Sequence, residues 1–236
     1  MSLFFLAIGY LQSMRTDTFR MPVAGTATSV SAAYTLPVKI KCILVLAHGA
    51  GAGMDHPFMQ ALANALAEKN IATLRFNFPF IERKGRPDAP AIAQATVDDA
   101  IKSARRKFPR LPLFISGKSF GGRMSSQYLA LHPKAPVKGI IFYGFPLHAP
   151  GKPSLERAEH LKAVEQPMLF LSGTRDEYAT LHLLEKVCSS LPNATLIKIE
   201  GANHGFKAGK LDIFSMLANF TDEWMASIIG KKYLKR

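Results

Sequence analysis

The stretch GKSFGG (residues 117–122) lies between the apolar run Leu113–Ser116 and the helical pattern Arg123–Leu131. It matches the form G-x-S-x-G, in which a strand enters a helix through a sharp turn. Such a turn strains the serine backbone and leaves room only for small neighbours, which the flanking glycines provide. The helix N-terminus also directs free N–H groups at the serine oxygen. The stretch therefore predicts Ser119 as a nucleophile and the N–H of Phe120 as an oxyanion donor, and a tight turn with a capping serine is the alternative.

The chain on both sides of this stretch alternates between apolar runs and amphipathic helical patterns. Continuous apolar runs of this length are typical of strands buried on both faces of a parallel sheet. The predicted buried strands are Ile43–Ala47, Ile71–Phe76, Leu113–Ser116, Gly139–Tyr143, Met168–Ser172 and Thr195–Ile199. Before them, residues 29–36 follow a period of two, which predicts a half-exposed strand. The alternation of strand and helix predicts an α/β fold with a mostly parallel, doubly wound sheet and helices on both faces.

Two further segments offer partners for Ser119 at the carboxyl ends of predicted strands, where doubly wound sheets place their functional sites. Asp176 follows the fifth buried strand through Gly-Thr-Arg, and His204 follows the sixth through Glu-Gly-Ala-Asn. Serine, acid and histidine in this chain order suit a catalytic triad behind a G-x-S-x-G turn. Glu177 is the alternative acid. Asp176 is favoured because it directly follows the turn and its shorter side chain suits a fixed reach to imidazole.

The loop after the first buried strand, HGAGAG (residues 48–53), is rich in glycine. Glycines let backbone amides approach a substrate oxygen, so we expect the N–H of Ala50 to be the second oxyanion donor. The loop lacks the Lys-Ser/Thr ending of a phosphate-binding loop and the G-x-G-x-x-G dinucleotide pattern, which disfavours a nucleotide site. We expect His48 to orient this loop rather than to abstract a proton.

Other side chains at the same edge of the sheet are expected to shape a substrate pocket. The expected substrate-binding residues are His48, Gly49, Asn77, Phe78, Lys118, Arg123 and His148. Of the remaining histidines, His132 is predicted at a helix end, and His160 and His182 at water-facing helical positions. Asp55 is placed to cap the helix that has Pro57 in its first turn.

The composition, with 48% hydrophobic and 20% charged residues, is that of an ordinary globular domain. The formal net charge of +13 is spread along the chain, apart from a basic cluster at residues 231–236. No nucleic-acid motif accompanies the charge, so we expect a solvated basic surface and no nucleic-acid partner. Cys42 and Cys188 are expected to be buried thiols in the reducing cytoplasm. Because no His/Cys cluster has zinc spacing, neither a metal nor a cofactor is expected.

The chain has no internal repeat or linker-like stretch, so residues 28–236 are predicted to form a single domain. Residues 1–27 are assigned to an N-terminal arm of uncertain order. The apolar stretch Leu3–Leu11 is too short to span a bilayer, and it lacks the positive charge and cleavage site of a secretory signal. A strand, an arm and a true start at Met14 all fit this region.

Six segments between Leu46 and Phe206 carry a family resemblance. They are Leu46–Met59, Leu74–Phe80, Gly117–Arg123, Phe145–Pro153, Gly173–Tyr178 and Gly201–Phe206. The chain resembles the small α/β-hydrolases without a cap domain that are related to dienelactone hydrolases, in the branch of testis-expressed and NSL-complex α/β-hydrolase-like proteins and their bacterial relatives. The resemblance implies the α/β-hydrolase fold and a triad of Ser119, Asp176 and His204. Dienelactone hydrolase itself has a cysteine nucleophile where this chain has Ser119, so a lactone substrate is not implied.

These features predict a serine hydrolase that cleaves a small carboxylic ester or thioester through an acyl-serine intermediate. A non-catalytic scaffold or binding protein of the same fold, and an amidase or peptidase with the same triad, stay open as alternatives. Between the fourth and fifth buried strands there is room for one short helix, around Leu155–Val164, where many relatives insert a cap. Positive side chains near the open site favour small, anionic acyl groups. The physiological substrate and the oligomeric state are left open.

Overall fold

The structure is a computed structural model that describes residues 14–25 and 28–230. Its strands are β1 (Arg15–Pro22), β2 (Ser29–Leu36), β3 (Cys42–Ala47), β4 (Ile71–Phe76), β5 (Leu113–Lys118), β6 (Ile140–Tyr143), β7 (Met168–Gly173) and β8 (Ala194–Ile199). Its helices are α1 (Pro57–Glu68), α2 (Pro79–Glu82), α3 (Pro90–Lys107), α4 (Phe120–Leu131), α5 (Leu181–Ser189) and α6 (Ile213–Gly230), with a 3₁₀ helix at Glu156–Ala163.

One eight-stranded sheet organises the described residues, in the order β1-β2-β4-β3-β5-β6-β7-β8. The strands from β4 to β8 along this order are parallel, while β2 pairs antiparallel with both β1 and β4. The chain adds β4 on one side of β3 and then β5 on the other, so the strand order reverses at β3. Doubly wound sheets open a crevice at such a reversal, outside the carboxyl ends of the strands. The crevice therefore lies between the loop after β3 and the turn after β5.

Helices cover both faces of this sheet, which confirms the predicted α/β-hydrolase architecture. On one face, Leu66 of α1 and Leu217 of α6 belong to the same buried cluster as Leu44 of β3. On the other face, Val97 of α3 and Leu129 of α4 lie in the larger core cluster. Each fully buried side chain of this kind stabilises the fold by about 1.5–3 kcal/mol. Two-sided burial explains why the central strands are continuous apolar runs rather than alternating ones.

Both edges of the sheet differ from what the sequence predicts. β1 lies within the residues assigned to an N-terminal arm, yet it pairs along its whole length with β2. Flanked by β1 and β4, the second half of β2 is buried rather than half-exposed. At the opposite edge, β8 exposes Thr195 and Lys198, because a strand with only one neighbour is less covered. Leu3–Leu11 and the basic cluster at residues 231–236 lie outside the described residues.

The N-terminus of α1 corrects one local prediction. The N-cap is His56, whose Nδ1 accepts a hydrogen bond from the N–H of Phe58 at 3.2 Å. Asp55 lies one residue too early for this position, and its carboxylate is instead 3.8 Å from the guanidinium of Arg75. The predicted cap at Asp55 is therefore wrong by one residue.

The structure also bears on the two cysteines and on membrane-spanning segments. Cys42 and Cys188 are buried and unpaired, as predicted, and burial raises the pKa of each thiol to about 12. Across residues 14–25 and 28–230, no helix has both the length and the apolar character that a membrane crossing requires.

Candidate active site

Ser119 sits at the junction of β5 and α4 in a strained backbone conformation. Its φ of 49° and ψ of −114° lie outside the regions that non-glycine residues ordinarily adopt. The glycines around it leave no room for side chains: a Cβ on Gly117 would lie 2.1 Å from the N of Gly122, and one on Gly121 would lie 2.6 Å from the O of His48. Strain of about 1–3 kcal/mol persists only where the surrounding structure enforces it, and it is typical of functional sites.

His204 and Asp176 complete a continuous chain of contacts with Ser119. The Nε2 of His204 lies 2.9 Å from the Oγ of Ser119, and its Nδ1 lies 2.9 Å from each carboxylate oxygen of Asp176. The Asp176 side chain is 1% exposed and the His204 side chain 13% exposed. Because the carboxylate accepts the Nδ1 proton, Nε2 carries a lone pair that faces the serine hydroxyl. This arrangement can remove a proton from Ser119.

Two residues that the sequence analysis did not single out hold this chain of contacts in place. Tyr178 donates its backbone N–H to the Oδ1 of Asp176 at 2.8 Å, and its ring lies 4.3 Å from the His204 ring. Gly144, directly after β6, has a φ of +71°, and a Cβ there would lie 3.4 Å from both the Asp176 Oδ2 and the His204 Nδ1. A glycine directly after a buried strand, at the edge where the other site residues lie, was the available signal for Gly144.

Polar side chains hold the glycine-rich loop after β3 in place through hydrogen bonds. His48 is fully buried; its Nδ1 donates to the Gly49 carbonyl at 2.7 Å and its Nε2 accepts the Phe78 N–H at 2.9 Å. Burial lowers the pKa of His48 to about 4, which keeps the ring neutral and able to accept that bond. Asn77 accepts the Met54 N–H at 2.8 Å, and the guanidinium of Arg75 donates to the Met54 carbonyl at 2.8 Å. The loop is thus held at both ends beside Ser119.

A cavity of about 400 Å³ opens above Ser119. Its wall residues are Gly49, Ala50, Gly51, Ala52, His56, Phe58, Met59, Lys118, Ser119, Tyr178, His204 and Gly205. The wall is mostly apolar, and its polar residues include Ser119, His204 and Lys118. Such a concave site suits the acyl group of a small molecule.

The match to known proteins agrees with this geometry. Residues 40–228 match the family of α/β hydrolase domains. The chain belongs to the α/β hydrolases. Similar solved structures include a dienelactone hydrolase from Anabaena variabilis, with 17% identity, a TM-score of 0.75 and coverage of 91% of this chain and 98% of that one. An α/β serine hydrolase without lid from Xanthomonas campestris shares 20% identity, with a TM-score of 0.70 and coverage of 90% and 95%. Est1E from Butyrivibrio proteoclasticus, in a structure with ferulic acid bound, has 15% identity, a TM-score of 0.72 and coverage of 90% of this chain and 99% of that one.

The segment between β6 and β7, where a cap domain would be inserted, is short in this α/β hydrolase. Between β6 and β7 the regular structure is the 3₁₀ helix Glu156–Ala163, close to the single short helix predicted around residues 155–164. No cap domain is formed by the described residues in this interval. The cavity is therefore bounded by the loops of the sheet edge itself.

The expected substrate-binding residues fall into two groups in this α/β hydrolase. Gly49 and Lys118 line the cavity beside Ala50. His48, Asn77, Phe78, Arg123 and His148 lie outside its lining. His148 is buried and accepts the Thr180 N–H at 3.0 Å, so it joins the loop after β6 to the start of α5. The sequence predicts which residues follow the strands of this sheet. It does not predict which of them line the cavity and which support the lining residues.

Arg123 and three further histidines lie outside the cavity lining. Arg123 lies in the first turn of α4, where burial and the charge of Arg157 lower its pKa. His160 does not face water as predicted: its Nε2 lies 2.7 Å from the Oγ of Ser126, and burial followed by the charge of Arg123 lowers its pKa to about 4. His132 and His182 are exposed. Among residues 14–25 and 28–230, no cluster of His, Cys, Asp and Glu side chains could hold a metal ion.

Proposed function

We propose that this α/β hydrolase is a serine hydrolase that cleaves a small carboxylic ester or thioester through an acyl-serine intermediate. The observation that carries the proposal is the unbroken chain from Ser119 Oγ to His204 to Asp176, with each contact at 2.9 Å. A serine hydroxyl is a weak nucleophile at neutral pH unless an adjacent base removes its proton. The strained turn that presents Ser119 at a helix N-terminus adds support, because the turn exposes Oγ to the cavity.

In the first half of the reaction, Ser119 attacks the carbonyl carbon of the bound ester. His204 accepts the hydroxyl proton on Nε2 as the Oγ–C bond forms, and the buried Asp176 carboxylate stabilises the resulting imidazolium. The tetrahedral intermediate then collapses, the bond to the leaving oxygen or sulfur breaks, and His204 returns its proton to that atom. The alcohol or thiol departs and the acyl group stays on Ser119.

In the second half, water takes the place of the leaving group. His204 removes a proton from the water as its oxygen attacks the acyl carbon, and it then returns that proton to the Oγ of Ser119. The carboxylate product leaves and the free enzyme is restored. Every proton in this cycle moves through the same imidazole, and the groups involved all belong to this chain.

The negative oxygen that forms in each half requires donors that are already in position. The N–H of Phe120 is the first of α4, and the first N–H groups of a helix have no acceptor within the helix. We assign it as one donor and the N–H of Ala50, in the loop held by His48, as the other. A pre-positioned donor of this kind contributes about 2.7–4 kcal/mol to the lowering of the barrier.

The proposal extends to the setting of the enzyme. Its substrate is a small molecule rather than a nucleic acid, since the cavity beside Ser119 has the size for an acyl group. The two buried, unpaired cysteines support a reducing compartment such as the cytoplasm.

Hydrolysis of 4-nitrophenyl acetate and butyrate by matched variants tests the proposal. Wild-type protein is expected to turn over at least one of these esters. Ser119→Ala and His204→Ala are expected to lose about 10³-fold or more in kcat. Ser189→Ala, which alters an exposed serine in α5, is the control. Equal rates for wild type and Ser119→Ala would contradict the proposal.

A further inference from the structure

Lys118 is a largely buried cation in the wall of the cavity. It ends β5, and its side chain packs past Gly49 towards Gly144 and Phe206. The Nζ lies 5.6 Å from the centre of the Phe206 ring, and 3.3 Å from where a Cβ on Gly144 would be. Among the described residues, no side-chain or backbone oxygen accepts a hydrogen bond from this ammonium, and no carboxylate forms a salt bridge with it.

The two carboxylates in the neighbourhood are already engaged. Both carboxylate oxygens of Asp176 lie within hydrogen-bond distance of the His204 Nδ1, and one of them also accepts the Tyr178 backbone N–H. Glu177 is exposed and accepts the His204 backbone N–H at 3.3 Å. They act on Lys118 through their charge rather than through a bond. The contact with the Phe206 ring and the two nearby charges offset part of the cost of burying this ammonium. Without a hydrogen-bond acceptor the burial is still unfavourable, and an oxygen of a ligand in the cavity that Lys118 lines would supply one.

We propose that Lys118 binds a carboxylate carried by the acyl part of the substrate, so that the preferred substrates are half-esters or half-thioesters of short dicarboxylic acids. The inference rests on the proposed function, since it concerns the acyl group that Ser119 receives. The apolar wall formed by Phe58 and Met59 receives the methylene chain, and the ammonium receives its charged end. Hydrolysis consumes one water and releases the dicarboxylate, the alcohol or thiol, and a proton.

The charge state of Lys118 agrees with this role. Burial lowers its pKa to about 8, against the opposing influence of Asp176 and Glu177. The ammonium is therefore mostly charged at pH 7 and becomes neutral above pH 8. The other titratable groups on the same cavity are His56, Tyr178 and His204. A ratio of rates for an anionic and a neutral ester cancels the effect of His204, which both esters need.

The experiment compares half-esters of 4-nitrophenol with succinic, glutaric and adipic acids against the neutral 4-nitrophenyl esters of the same carbon number. Each rate is corrected for spontaneous hydrolysis. The measured quantity is the ratio of kcat/KM for the anionic ester to that for its neutral partner. The variants are Lys118→Met, which keeps an unbranched apolar side chain but removes the charge, Lys118→Arg, which keeps the charge, and Lys207→Met. Lys207 is exposed and outside the cavity lining, so its variant removes the same charge from the same edge.

Wild type is expected to favour at least one anionic ester, and Lys118→Met is expected to lower the ratio by about tenfold or more, as for the loss of a charge-assisted hydrogen bond. Lys118→Arg should restore part of the ratio and Lys207→Met should leave it unchanged. In wild type the ratio should fall as the pH rises through about 8.

Three results overturn the inference. The first is a wild-type protein that hydrolyses the anionic and neutral esters with equal kcat/KM. The second is a Lys118→Met variant that keeps the wild-type preference for the anionic ester. The third is a Lys118→Met variant that loses the same factor in kcat/KM on both ester types, which would reflect an effect of Lys118 on Asp176. In each of these the neutral esters are still hydrolysed and the proposed function stands. If no ester is hydrolysed and a fluorophosphonate does not label Ser119, the proposed function fails, and the inference fails with it.

Discussion

The glycine at position 144 offers a direct probe of how tightly the Ser119–His204–Asp176 arrangement is packed. Gly144→Ala adds one methyl group at a φ of +71° and places it 3.4 Å from the Asp176 Oδ2 and the His204 Nδ1. Gly151 has the same φ of +71°, and a Cβ there meets no atom within 4 Å. Gly151→Ala therefore carries the backbone cost without the contacts, and is a matched control.

The backbone cost is common to both variants. Placing a non-glycine residue in the left-handed region costs about 1–2 kcal/mol. For a chain of this length that corresponds to a fall in Tm of about 2–8 °C. We expect both variants to show a loss in this range by differential scanning calorimetry.

The catalytic cost belongs to Gly144→Ala alone. The added methyl group lies 3.3 Å from the Lys118 Nζ and 3.4 Å from the Asp176 Oδ2 and the His204 Nδ1, at the lower edge of ordinary contact, so the groups around it must give by up to a few tenths of an ångström. A misplacement of about 1 Å can cost about 100-fold, so a shift of this size predicts a loss of about three- to tenfold in kcat/KM. The assay is hydrolysis of 4-nitrophenyl butyrate at 25 °C, once calorimetry has shown that both variants are folded at that temperature. If Gly144→Ala and Gly151→Ala have the same kcat/KM, the packing argument is wrong.

Three further predictions follow from the site and its supports. Asp176→Asn should lower kcat by about 10⁴-fold, whereas Glu177→Gln should have a mild effect, and the reverse ranking in the ester assay would move the acid by one residue. The free energy of unfolding, measured in urea, should fall as the pH drops from about 6.5 to about 4, because the lowered pKa values of His48 and His160 let the unfolded chain bind protons that the folded one does not. His48→Gln should flatten this dependence, and an unchanged pH slope would refute the assignment. Without a cap, 4-nitrophenyl butyrate should be a better substrate than the palmitate ester, and the opposite order in kcat/KM would contradict the open-site description.

The central sheet and the sharp turn at Ser119 were predictable because local patterns encode them. Strands buried on both faces need unbroken apolar runs, and a turn as tight as that after β5 needs glycines on both sides of the serine. The positions of Asp176 and His204 followed from one rule, that the carboxyl ends of parallel strands meet at one edge. Each of these depends on residues close to one another in sequence.

What the sequence could not predict depends on contacts between distant segments. β1 contains mostly polar and charged residues, and only its pairing with β2 makes it a strand. His160 and His182 have similar helical spacing, yet only His160 packs against α4, where it reaches Ser126. The role of Gly144 became visible only when β6 placed it beside the loops that follow β7 and β8. The sequence placed Lys118 beside the nucleophile, but only the fold shows that its side chain is largely buried.

Mass spectrometry of the protein after reaction with a fluorophosphonate tests the central claim most directly. The reagent forms a stable bond to a serine only where a neighbouring base has activated the hydroxyl. We expect one label per chain, located on the tryptic peptide that contains Ser119, with labelling abolished in Ser119→Ala and strongly slowed in His204→Ala. An unlabelled wild-type protein, or a label that persists in Ser119→Ala, would contradict the assignment of this chain as a serine hydrolase with Ser119 as its nucleophile.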